Sequence, residues 1–231
     1  ALQLLTLLPR QERRFRAGAA TLIFFPVVGL LIGACWALPG WLIGQRVASA
    51  GVTAAFVLLV DAVVTRGMHL DALADVADGA ASGRRDDEGI AIMRDPTIGA
   101  MGAAAVILVC LLRYGALTFS ADFGFRLFAA PVAGRAAMVL LIAWLTPRQD
   151  GSLPHVLEHP RRVVLVGAGL AAVVCVLPSG SPGISALLLA GGVTIVFGGW
   201  WQGRFGELNG DGVGAGGLLA ETAALVLLST I

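Results

Sequence analysis

The chain has 231 residues and no lysine; all sixteen of its basic residues are arginine. It is poor in charge of either sign, with 13% of residues ionic where a soluble domain carries about a quarter. A formal net charge of +1 leaves no electrostatic footprint for nucleic acid, and none is expected as a partner. Cysteine is scarce as well. Cys35, Cys110 and Cys175 lie far apart, each inside an apolar run, which excludes a disulfide framework and a thiolate metal site. No cleavable leader is legible: Ala1 to Pro9 is apolar but short, and the arginines follow it rather than precede it.

What the chain has is apolar length. It is 57% hydrophobic with a mean hydropathy of +0.85 and contains 31 glycines, the composition of a multi-pass membrane protein whose partner is the lipid bilayer. Apolar runs fall near 21–44, 48–66, 97–120, 124–146, 162–180, 183–201 and 211–231. The expected fold is an all-α polytopic helical bundle of six or seven transmembrane helices, with a short interfacial helix over residues 1–20. No internal repeat or low-complexity linker divides the chain, so residues 1–231 read as one membrane-embedded catalytic domain. A homo-oligomer is left open.

Arginine placement gives an orientation. If all seven runs span and the amino end is cytoplasmic, the inside holds Arg10, Arg13, Arg14, Arg16, Arg66, Arg84, Arg85, Arg94, Arg148, Arg161, Arg162 and Arg204. The outside holds Arg46, Arg113 and Arg126, with Arg135 inside a helix. That positive-inside bias predicts a plasma (inner) membrane protein whose polar stretches before Gly79 and after Trp201 share the cytoplasmic side.

Polar groups this near a membrane are candidates for function. In His69-Leu-Asp-Ala-Leu-Ala-Asp-Val-Ala-Asp-Gly79, the residues Asp71, Asp75 and Asp78 are spaced i, i+4, i+7. At about 100° per residue they share one narrow helix face. Oxygen-only ligands of that kind suit Mg²⁺, Mn²⁺ or Ca²⁺, while a solvated acidic face is the plainer account. His69 sits about 160° around from Asp71, where it either meets a substrate or simply packs.

The run Arg84 to Glu88 reads as a solvated loop. Beyond it, Asp95-Pro96 is expected to open a helix with Asp95 as its N-cap or as a catalytic carboxylate. Arg94 beside it is a candidate phosphate clamp. Arg135 and Asp61 each sit in an apolar run and need an opposite charge; the two pairing with each other is one account of both. From Trp201 onward, Gly203, Gly206, Gly210, Gly212 and Gly214 give either a backbone that can approach phosphate or a packing hinge. Arg204, Glu207 and Asn209 are candidate ligand contacts there, and Asp211 a fourth metal ligand. Glu221, ten residues on and roughly 15 Å along a helix, lies too deep to share a metal with Asp211.

Two acidic half-sites on one side of a helical membrane protein suggest metal-assisted phosphoryl transfer. The CDP-alcohol phosphotransferases match partially, since their pattern Asp-x-x-Asp-Gly-x-x-Ala-Arg has a shorter first gap and an Ala-Arg that this chain lacks. A transporter with Asp61, Asp71, Asp75 and Arg135 on an ion path is the alternative from another class. A fuller match exists. The chain resembles the cobalamin synthase family, the adenosylcobinamide-GDP ribazoletransferases. The resemblance rests on Ala1-Leu-Gln-Leu-Leu-Thr-Leu-Leu-Pro, Phe25-Pro-Val-Val-Gly-Leu-Leu-Ile-Gly, the His69–Gly79 stretch, Met93-Arg-Asp-Pro-Thr-Ile-Gly-Ala-Met-Gly, Gly134-Arg-Ala-Ala-Met and Asn209-Gly-Asp-Gly-Val-Gly-Ala. It departs at Ala72, where the family usually has glycine, at Asn209, where threonine is common, and near Leu218, where the family often has an acidic or amide residue.

The resemblance implies an enzyme that joins α-ribazole, or its 5′-phosphate, to adenosylcobinamide-GDP with release of GMP and with Mg²⁺ as cofactor. It implies Asp71, Asp75, Asp78 and Asp211 as metal ligands, and Arg94 and Arg135 as residues that steady the diphosphate. Asp75 or Asp95 would act as base, with His69, Arg204, Glu207 and Asn209 as substrate contacts.

Overall fold

Inside a bilayer no water satisfies the peptide groups, and a helix is the form that closes its hydrogen bonds within one segment. The computed structural model describes residues 20–43, 49–119, 128–149 and 161–231. Among the described residues there is no strand, only an isolated parallel bridge between Pro147 and Leu208. The helices are α1 (Ala20–Ile23), α2 (Phe25–Ile43), α3 (Ala50–Thr65), α4 (Met68–Ala81), α5 (Asp86–Met93), α6 (Ala100–Phe119), α7 (Ala129–Trp144), α8 (Arg161–Val176), α9 (Gly180–Phe205) and α10 (Gly210–Thr230). The interfacial helix expected over residues 1–20 lies outside the described residues but for Ala20, as do Arg46 and Arg126.

The expected polytopic all-α bundle is what forms. Four stretches are long and apolar enough to cross a membrane: Thr21–Pro39, Ala100–Phe119, Val164–Phe205 and Gly210–Thr230. The α3–α4 pair adds a fifth if its two pieces, bent by 87°, count as one broken span. The remaining run forms α7, an apolar helix of 16 residues, about 24 Å long and short of a bilayer's roughly 30 Å core. By this measure the described residues hold four or five candidate spans, one of them the 42-residue stretch Val164–Phe205, against the six or seven expected for the whole chain.

The bend between α3 and α4 has a local cause. Arg66 and Gly67 both adopt left-handed backbone angles, φ 57° and 65°, and their N–H groups return to Val63 and Ala62. Glycine takes that conformation without a Cβ penalty; Arg66 bears a cost of about 1 kcal/mol.

Helix α7 is the buried axis of the molecule. Thirteen of its residues are buried, and α2, α8, α9 and α10 all pack on it. Helix α10 packs against α4, α6, α7 and α9, and small residues let the backbones close in. A Cβ on Gly134 would meet Glu221 at 2.7 Å, and one on Gly214 would meet the Ala72 Cβ at the same distance.

The polar ends gather on one side. Leu208 N–H donates to Thr146 O at 2.8 Å and Arg148 N–H to Leu208 O at 2.9 Å, joining the segment after α7 to the α9–α10 turn. Arg148 pairs with Asp87 of α5 at 2.8 Å, and Arg204 donates to Ala80 O of α4 at 2.9 Å. The stretches before Gly79 and after Trp201 therefore do share a side, as the arginine distribution predicts. Arg113 is a correction to that reading: it is a buried residue inside α6, not part of a loop.

Candidate active site

Three segments build the site: α4, the turn before α6, and the start of α10. Helix α4 turns its apolar residues Ala72, Leu73, Ala74 and Val76 inward, which leaves Asp71 exposed and Asp75 and Asp78 half-buried. Helix α10 begins beside it. Asn209 is its N-cap, with Oδ1 accepting from Gly212 N–H at 2.8 Å, while Asn209 Nδ2 donates to Asp211 Oδ2 at 3.0 Å. The amide thus caps the helix and aims the neighbouring carboxylate. Both polar atoms of the Asn209 side chain, expected to contact a ligand, have protein partners here. Gly210, Gly212 and Gly214 likewise lie in α10; a Cβ on Gly212 would meet Trp201 at 2.9 Å and one on Gly214 the Ala72 Cβ at 2.7 Å, while the space beside Gly210 is open.

The two acidic half-sites face each other. Asp75 feels the charges of Asp71, Asp211 and Asp78, and Asp211 feels those of Asp71 and Arg94. Repelling carboxylates brought together from two helices form a donor set of hard oxygens, the kind a divalent cation neutralises. Among the described residues, no group of three or more His, Cys, Asp or Glu side chains is already arranged to hold a metal ion. Mg²⁺ needs fewer, because it usually binds through one or two carboxylates plus substrate phosphates.

Asp78 has another task. Its Oδ2 accepts from Gly99 N–H at 2.6 Å and its Oδ1 from Gly102 N–H at 2.8 Å, so it caps α6 from a different helix. Both glycines are required there, because a Cβ on either would overlap the Asp78 carboxylate. The expected cap, Asp95, does not start the helix. Its Oδ1 accepts from Thr97 N–H and Thr97 Oγ1 at 2.9 and 2.6 Å, a local turn that holds the chain out of helix until Ala100. Those two bonds hold the exposed Asp95 carboxyl below its usual range. Likewise, the run after Arg85 is helical rather than a loop, and its exposed charges pair as Arg84–Glu88 at 2.9 Å and Arg148–Asp87.

Beneath the acidic face lies a buried ionic network. Asp61 accepts from Trp36 Nε1 at 3.1 Å and from Arg113 at 2.9 Å. Arg113 also pairs with Glu221 at 2.8 Å, and Glu221 with Arg135. Arg113 sits 5.2 Å over the Trp36 ring. Asp61 and Arg135 therefore do not pair with each other; each has a different partner. Arg135, expected to steady a diphosphate, is 1% exposed and pairs with Glu221 in this network. His69 is buried against the same group, where the charges of Arg135 and Arg113 act on it. Arg204 turns to Ala80 and not toward Asp211, and Glu207 is exposed, with its backbone oxygen accepting from Trp201. Sequence reasoning missed Arg113 as a core residue; an arginine flanked by apolar residues in the 97–120 run was the available signal.

Comparison with known proteins agrees along the chain. Residues 1–229 match the family described as Cobalamin-5-phosphate synthase. The chain is similar to an adenosylcobinamide-GDP ribazoletransferase of Syntrophobacter fumaroxidans, 38% identical over 91% of this chain and 86% of that one. A protein of the same name from Roseiflexus sp. is 36% identical over 100% and 87% of the two chains. One from Pseudomonas entomophila is 39% identical over 90% and 87%. No solved structure matches.

Proposed function

The chain belongs to the cobalamin-5-phosphate synthase family, and from that membership we propose that it transfers the lower-ligand nucleoside, α-ribazole or its 5′-phosphate, onto adenosylcobinamide-GDP. The acceptor hydroxyl attacks the phosphorus on the corrin side of the diphosphate. A new P–O bond forms, the bond to the bridging oxygen breaks, and GMP departs with that oxygen. The observation that carries this reading is the mutual approach of Asp71 and Asp75 on α4 and Asp211 on α10. It makes an acidic cradle on the polar side of a membrane bundle, with Arg94 acting on the same carboxylate.

Asp71 and Asp211 are the residues that would hold Mg²⁺, which when bound supplies charge neutralisation of the diphosphate. The remaining roles belong to the chain itself. Arg94 steadies the diphosphate through the planar fork of its guanidinium. Asp75, on which the charges of both Asp71 and Asp211 act, accepts the proton of the attacking hydroxyl. Asp95 is the weaker acceptor, because Thr97 stabilises its charged form. Asp78 and Asn209 set the positions of the α6 turn and of Asp211.

The test is GMP release from adenosylcobinamide-GDP by the membrane-reconstituted chain, with and without Mg²⁺. Activity should disappear with a chelator and return with Mg²⁺, and Asp71→Ala should abolish it while the protein remains in the membrane. CMP release from a CDP-alcohol donor in its place would overturn the substrate assignment, and wild-type turnover by Asp71→Ala would overturn the metal site.

A further inference from the structure

On the side of α4 away from the acidic face there is a second polar feature. Ala80 lies about 180° around the helix from Asp71, and with Arg85, Gly199, Trp200, Gly203 and Arg204 it lines an open cleft of about 460 Å³. None of these lining residues is acidic. Two guanidiniums from distant parts of the chain meet across it, each tied by one N–H to the other's segment: Arg85 donates to Gly203 O at 3.3 Å and Arg204 to Ala80 O at 2.9 Å. These bonds fix the guanidiniums at the cleft wall, and each carries five N–H donors, more than one such bond uses. Trp200, 42% exposed, stands edge-on to Phe205 at 5.6 Å. A half-exposed tryptophan at the polar end of a spanning helix marks the membrane–water boundary.

Below the cleft, the same side of α9 is apolar and open. At about 100° per residue, Leu189, Gly192, Val196, Gly199 and Gly203 fall within about 80° of one another on α9, in a line that descends from the two arginines. Val196 is 75% exposed, and the space where a Cβ would stand on Gly192, Gly199 or Gly203 is open. A ligand that fits carries a phosphate at the boundary and a hydrocarbon chain below it.

We propose that this cleft binds an anionic phospholipid, its phosphate clamped by Arg85 and Arg204 and one acyl chain laid along the Leu189–Gly203 face of α9. Basic recesses between helices at a membrane surface recognise such headgroups by charge, and arginine matches phosphate in bidentate geometry. The site is separate from the transfer reaction and stands or falls independently of it.

The test is native mass spectrometry of the full chain in neutral detergent, with phosphatidylglycerol or phosphatidylcholine added. Phosphatidylglycerol should be retained in preference, and Arg85→Gln/Arg204→Gln should reduce its retention by about tenfold. Arg84→Gln, an exposed arginine paired with Glu88, should leave retention unchanged. Because the double variant also removes two tertiary hydrogen bonds, Val196→Trp provides a second probe: it crowds the apolar face of α9 with both arginines in place and should weaken retention too. Equal retention of the two lipids, or unchanged retention in both the double variant and Val196→Trp, would overturn the proposal. So would displacement of phosphatidylglycerol by excess GMP or inorganic phosphate, which would give the cleft to a soluble phosphate.

Discussion

Asp78 shows how one carboxylate in a row of three can do different work from its neighbours. Spacing alone makes Asp71, Asp75 and Asp78 equivalent, and the sequence reading treated them so. What separates them is the arrival of Gly99 and Gly102 from α6, 21 and 24 residues away, a tertiary event that no helical period reveals. Asp78→Asn can accept only one of those two N–H groups and presents an amide to the other, so turnover should fall. The Mg²⁺ concentration for half-maximal rate should change little. Asp71→Asn and Asp211→Asn should instead raise that concentration by about tenfold or more. A matching shift in Asp78→Asn would make it a ligand after all. Gly102→Ala should mimic Asp78→Asn, because its Cβ would press on the same carboxylate and on Ala74 O at 2.8 Å. At the neighbouring turn, Asp95→Asn should retain more activity than Asp75→Asn in the same GMP-release assay, since Asp75 faces Asp71 and Asp211 whereas the charge of Asp95 is held by Thr97.

At the scale of elements, the ionic network accounts for how the helices are held together. Lipid-facing leucines give helices no hydrophobic reason to associate, whereas Trp36, Asp61, Arg113, Glu221 and Arg135 tie α2, α3, α6, α10 and α7 through named contacts. Glu221 is the shared member, paired with two guanidiniums. Removing it by Glu221→Ala leaves two buried cations short of a counter-charge, at a cost of about 3–5 kcal/mol. Thermal unfolding in detergent should show a lower midpoint and reduced recovery of folded protein. An exposed change such as Glu88→Ala should show little, because surface pairs contribute about 0–1 kcal/mol. The helices themselves were legible from apolar run length, and the need of Asp61 and Arg135 for partners was legible from hydropathy. Which charge met which was not. Pairing depends on the faces two helices turn toward each other, and Arg113 looks from the sequence like the end of a span.

For the whole molecule, the legible property was sidedness. Arginine distribution placed the Asp71–Asp78 and Asn209–Asp211 stretches together, and the contacts between α4, α5 and the α9–α10 turn join them. The bend at Arg66–Gly67 was not foreseen, because a left-handed arginine has no signature in composition. The orientation relative to the cell follows from the positive-inside rule and can be measured. Cysteine introduced at the exposed Glu207 should react with a membrane-impermeant maleimide in inverted vesicles and not in intact cells. Labelling only from the outer face would reverse the topology.

The shared position of Glu221 also governs the order in which the protein can be completed. It lies 86 residues after its partner Arg135, so Arg135 leaves the ribosome well before the carboxylate that neutralises it exists, whereas Arg113 already has Asp61. Until α10 is made and inserted, the nascent bundle carries the Arg135 guanidinium without its counter-charge, a cation that lipid solvates poorly.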